Sequence, residues 1–146
     1  MHPDPAFWTT LWPKLHGASA HFPIALALVA AVCEAAAFLL VEGTRRDGLR
    51  AAGFYSIVFA ALGTVPAVAS GLVMTKGETM GHDLLLWHHV FVWPSFAAIV
   101  GLAVWRVLTG EKASRRAQAV YLLALLVTAG LISAAGYWGG EMIVNG

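Results

Sequence analysis

Six histidines hold most of the chemistry open to this chain: His2, His16, His21, His82, His88 and His89. Neutral imidazole is the commonest side-chain metal ligand. Two such rings brought to one depth in a fold meet the needs of a bis-histidine site. His16 and His21 open an apolar run that reaches Val41 with Glu34 as its one charge, and His82, His88 and His89 open another that reaches Thr109. The rest of the repertoire is thin. Cys33 is the single cysteine, so neither an intrachain disulfide nor a thiolate cluster forms, and it reads as a small packing residue. No CxxCH attachment motif, HExxH helix, nucleophile–base pair or phosphate loop is present, which argues against hydrolytic and group-transfer catalysis.

The elements that must position these rings follow from composition. Of 146 residues 59% are hydrophobic and 12% charged, and a mean hydropathy of +0.73 does not describe a soluble domain. Basic residues fall in short clusters between apolar runs, not on a patch interleaved with aromatics, so nucleic acid is not expected as a partner. The runs predict helices over about 16–41, 51–74, 82–109 and 117–140, each long enough to span a bilayer. Short polar turns between them force neighbours to be antiparallel. The expected fold is therefore all-α, an integral membrane four-helix up-down-up-down bundle over 16–146. Residues 1–15, with three prolines and with Trp8 and Trp12, read as an interfacial segment on the membrane. Without a basic n-region and a small-x-small cleavage site, the first run is expected to be retained.

Seven of the nine lysines and arginines sit at the first and third turns (Arg45, Arg46, Arg50, Arg106, Lys112, Arg115, Arg116). The positive-inside rule then puts both termini and the second turn outside, in the periplasm of a bacterial inner membrane. All six histidines fall on that outer side. At 1.5 Å per residue His21 lies roughly 7–8 Å into helix one and His88 roughly 9 Å into helix three. Phase selects His88 over His89, because His88 shares a face with Ser95 and Ala98. It leaves His16, in line with Ala20, Ala27 and Glu34, undecided against His21, which depth favours. Spacings of 67 (His21, His88), 66 (Tyr55, Tyr121) and 65 residues (Gly71, Gly136) hint at two parallel hairpin repeats. Gly130, Ser133, Gly136, Gly139 and Gly140 allow close helix approach and leave room for a flat macrocycle.

The motif HxxxxHFPIAL at His16–Leu26, a histidine-bearing third helix and the ending GYWGGEMIVNG together resemble a family of small bacterial predicted membrane proteins, a domain of unknown function. The resemblance covers His16 to Gly146 and implies a four-helix inner-membrane protein suspected of binding haem. Where that family shows His-Pro at the first histidine, this chain has His16-Gly17.

The residues favour a b-type haem held without covalent attachment between helices one and three by His21 and His88. A second haem between His16 and His82 stays open. Trp87, Trp93, Tyr137 and Trp138 are candidate walls, Gly136 and Gly140 candidate space, and Lys14 or Lys76 the outer cations for the propionates. Such a protein relays electrons between the quinone pool and a periplasmic cytochrome or dehydrogenase, as a subunit or anchor of a respiratory complex or homo-oligomer. It is an electron-transfer subunit more than a stand-alone enzyme. The alternatives are a copper-binding membrane protein using Met74, Met80 and Met142 with the histidines, and a structural subunit without cofactor. Glu34, a carboxyl inside the hydrocarbon region, is a candidate proton relay or a partner for Arg106.

Overall fold

The computed structural model describes residues 5–110 and 113–145. His2, Lys112 and the Trp8 side chain lie outside what is described. Four helices follow one another: α1 (Pro5–Leu39), α2 (Thr44–Met74), α3 (Asp83–Thr109) and α4 (Arg115–Asn145). Each is long and apolar enough to cross a membrane. All four match predicted elements, and three begin earlier or end later than the apolar runs. The stretch read as an interfacial segment is helical from Pro5 onward and continuous with the first apolar run, with Pro13 inside α1. In α2 the charged turn residues are absorbed into the helix, where Arg46 bonds Glu42 and Gln118, both at 3.2 Å.

The interior is built from small residues. Among the described residues eight of the fourteen buried apolar side chains are alanines. Large ones such as Val32, Leu62 and Leu123 are more than 60% exposed in mid-helix. That inversion is what lipid permits, since hydrocarbon outside is as apolar as leucine and close helix contact rewards small side chains. Buried Ser95 and Thr128 bond within their own helices, Ser95 donating to the Phe91 carbonyl at 2.6 Å and Thr128 to that of Ala124 at 2.8 Å, whereas the buried Tyr121 hydroxyl has no hydrogen-bond partner.

Contacts group the helices into two hairpins, α1 with α2 and α3 with α4, meeting along looser α1/α4 and α2/α3 seams. In the first hairpin His16 meets Gly71, Phe22 meets Gly63 and Glu34 meets Gly53, so the two chains run in opposite directions. In the second, His88 meets Gly139 and Trp105 meets Tyr121 in the same sense. The hairpins repeat one another. A shift of 72 residues carries buried Pro23, Ala27, Ala30, Ala31 and Glu34 of α1 onto buried Ser95, Ile99, Leu102, Ala103 and Arg106 of α3. A shift of 68 carries Gly53, Ile57, Ala60, Thr64 and Ala67 of α2 onto Tyr121, Leu125, Thr128, Ile132 and Ala135 of α4.

These registers replace the spacings of 65–67 expected from sequence. The two offsets differ by four residues, about one helical turn, so every face is kept while no single offset aligns both helices. Tyr55 is exposed where Tyr121 is buried, and His88 corresponds to His16, not His21.

At the end of the bundle opposite the histidines the repeat brings Glu34 against its own counterpart Arg106, with Arg106 Nε 3.2 Å from Glu34 Oε1. Arg106 also donates to the carbonyls of Gly110 (2.7 Å) and Arg50 (3.4 Å). Both side chains are buried, and an ion pair so placed costs several kcal/mol to break from one side, about 3–5 kcal/mol in typical cases. Glu34 thus has the partner that the sequence offered it.

Candidate functional site

At the other end the same repeat brings His16 of α1 and His88 of α3 together, with ring centres 6.5 Å apart and planes at 82°. Each ring is anchored in the same way. His16 Nδ1 lies 3.0 Å from the Ala67 carbonyl of α2, and His88 Nδ1 lies 2.9 Å from the Ala135 carbonyl of α4. A carbonyl oxygen only accepts, so both Nδ1 atoms carry the proton and both Nε2 atoms keep a lone pair for coordination. Ser70 and Ser19 extend the support around His16: Ser70 Oγ is 3.3 Å from His16 Nδ1 and 3.3 Å from Ser19 Oγ.

Glycine admits each ring. A Cβ on Gly71 would stand 3.0 Å from His16 Cε1, and one on Gly139 would stand 3.3 Å from His88 Cε1. Each glycine is one turn beyond the carbonyl that its histidine engages, so an Ala-x-x-x-Gly segment forms the seat in both hairpins. Two such seats, Ala67–Gly71 and Ala135–Gly139, are 68 residues apart. The seats are the feature around the ring pair that sequence reading missed; the signal was present as two alanine–glycine pairs of equal spacing, but many small pairs share that spacing in these helices.

Between the hairpins lies a cavity of about 490 Å³. Its volume falls within the roughly 300–1,000 Å³ of small-molecule and cofactor sites. His16, His21, His88 and His89 line it along with Met74, Met142 and largely apolar side chains from all four helices. Nearly every lining position has its counterpart in the other hairpin lining it too, Met74 with Met142 among them.

The remaining expected site residues fall in several places. His21 lines the cavity at the surface, its Nδ1–H bonded to the Gly17 carbonyl of its own helix. Gly136 and Gly140 also line it. His82 is exposed and caps α3 from outside the lining. Trp87 is half-exposed and stacks on Trp138 at 5.9 Å, also outside the lining. Lys14 and Lys76 are exposed beside the lining residues Pro13 and Thr75. His89, which phase set aside in favour of His88, is buried, packs on Trp93 and donates from Nδ1 to the Met80 carbonyl at 3.0 Å. With Trp93 Nε1 donating to the Thr79 carbonyl at 2.6 Å, it ties the α2–α3 loop to α3.

The family described as "Predicted membrane protein (DUF2231)" matches residues 13–146. The chain belongs to that family. As a member with four candidate spans it is a multi-pass membrane protein in contact with the lipid bilayer. No curated protein and no solved structure matches it.

Proposed function

We propose that this protein carries a b-type haem between His16 and His88 and works as a membrane electron carrier. The observation that carries the reading is the pair of imidazoles across the internal repeat, each with Nδ1–H fixed to a backbone carbonyl and Nε2 left over. His16 and His88 are the residues that would hold the iron, each through the Nε2 that its Nδ1 anchor leaves over. Gly71 and Gly139 fit a flat group further, because they let the histidines retreat onto α2 and α4 and leave the space between the hairpins clear.

A haem held there would supply a one-electron iron couple, tuned by the imidazoles that hold it and by its burial. His16 and His88 would hold and orient it, the Ala67 and Ala135 carbonyls set their tautomer, and Lys14 and Lys76, exposed next to the lining residues Pro13 and Thr75, are the cations offered to its propionates. The arrangement suits transfer between the quinone pool and a periplasmic redox protein, with this chain as subunit or anchor of a respiratory complex. We place the bundle in a bacterial inner membrane, up-down-up-down with both termini in the periplasm, on the arginine-rich first and third turns.

Copper is the second reading, favoured by Met74 and Met142 lining the cavity at equivalent positions with the two histidines. The cavity of about 490 Å³ supports haem over copper, since it offers far more room than a single ion fills. The oxidised and reduced absorption spectra of detergent-purified protein test the proposal. A Soret band that shifts on reduction is expected, and protein that contains copper and no such band overturns it.

A further inference from the structure

The end of the bundle opposite the histidines draws a polar side chain inward from every helix: Glu34, Arg50 and Arg106 are buried and Gln118 is half-buried. These are two counterpart pairs of the repeat, since 72 residues carry Glu34 onto Arg106 and 68 carry Arg50 onto Gln118. Between α1, α2 and α4 they leave a pocket of about 10 Å³, lined by Glu34, Arg50 and Gln118 together with Ala37, Phe38 and Leu122. A space of about 10–15 Å³ holds one water where two to four polar groups meet it, whereas an apolar one stays dry.

The lining groups have bonds to give. Gln118 accepts from Arg46 at 3.2 Å and donates to the Ala113 carbonyl at 2.8 Å, which leaves its amide one hydrogen and one lone pair. A carboxylate accepts about four hydrogen bonds, so Glu34 has capacity for a water beside Arg106. Two buried atoms nearby find no partner within the protein, Arg46 Nε and the Tyr121 hydroxyl. Arg46 is bonded to the pocket wall through Gln118, and the Tyr121 hydroxyl lies within electrostatic reach of Glu34 and Arg106. Ordered water is the usual answer to buried groups of this kind. At 1.5 Å per residue Gln118, Glu34 and Arg50 lie about 4.5, 7.5 and 9 Å from their helix ends, and Glu34 lies about 27 Å from His16 along α1.

We propose that this pocket binds one water molecule, held by the Glu34 carboxylate, the Arg50 guanidinium and the Gln118 amide, and that it opens the buried Glu34–Arg106 pair to the aqueous phase at the arginine-bearing end. The water donates to the carboxylate and accepts from the guanidinium. A hydrated ion pair costs less to carry inside the hydrocarbon region than a dry one, because part of the desolvation of each charge is returned. The site makes no use of the histidine cavity and is indifferent to what that cavity holds.

Water-to-protein magnetisation transfer, measured by solid-state NMR on the isotope-labelled full chain in liposomes, reads the site residue by residue. Signal from water is expected at Glu34 Cδ as early as at exposed Arg116, and well before it reaches Thr128, which is buried in the middle of α4. Ala37→Leu, which fills the pocket from α1, loses the early transfer at Glu34 and keeps it at Arg116. Transfer to wild-type Glu34 as late as to Thr128 overturns the proposal, as does early transfer that survives in folded Ala37→Leu. The wild-type build-up decides even where the leucine variant fails to fold, and protein without a Soret band leaves that result as it stands.

Discussion

Gly71→Ala is the substitution that bears most directly on the histidine seats. The new methyl would stand 3.0 Å from His16 Cε1 and 3.2 Å from His16 Nδ1. Comfortable carbon contacts lie at about 3.5–4.0 Å, so the ring must retreat by about 0.5–1 Å. Turning the side chain off its rotamer costs about 0.5–1.5 kcal/mol. Losing the bond to the Ala67 carbonyl costs about 0.5–1.5 kcal/mol more. The ligand is then misplaced by about 1–3 kcal/mol, which weakens haem binding about 5- to 150-fold. Gly139→Ala is milder, since the methyl meets His88 at 3.3 Å and a shift of a few tenths of an ångström clears it. Gly101→Ala and Gly130→Ala are the controls, because nothing lies within 4 Å of either new methyl. They gain about 0.5–1 kcal/mol of helix stability from alanine and leave affinity unchanged. Haem titration of the apoprotein, read at the Soret band, measures all four. Equal affinity in Gly71→Ala and Gly101→Ala would refute the argument that the seat positions the ring.

Three further outcomes follow from the same geometry. His16→Ala and His88→Ala each abolish the six-coordinate haem spectrum, whereas His21→Ala and His82→Ala retain it; a lost spectrum in His21→Ala with a full one in His16→Ala would return the pairing to His21 and His88. Glu34→Ala and Arg106→Ala each lower stability in detergent by about 3–5 kcal/mol, and the double variant loses less than the two together, because neither charge is then left buried alone; additive losses would show that the pair at 3.2 Å contributes nothing jointly. His89→Phe removes the bond to the Met80 carbonyl and exposes residues 75–82 to limited proteolysis while the haem spectrum persists, and unchanged cleavage would mean that the loop is held by Trp93 alone.

The chain's apolar runs determined four membrane-spanning helices, because a bilayer leaves few alternatives to a stretch of about twenty apolar residues. The lone carboxyl in the first run and the arginine near the end of the third also marked each other in advance, since an unpaired charge there is costly. That same carboxyl also marked the inner face of α1: His16 lies in line with Ala27 and Glu34, which had to point inward, and the bundle brings His16 to His88, whereas depth along the axis favoured His21. Depth was a poor guide to which ring meets His88, because α1 begins at Pro5, eleven residues before the expected start of the helix at His16. Only the packed bundle decided the registers of 72 and 68 and the two alanine–glycine seats. These depend on which small residue of one helix faces which ring of another. In helices made largely of alanine, glycine and valine many such pairings look alike along the chain, and close packing in three dimensions selects one.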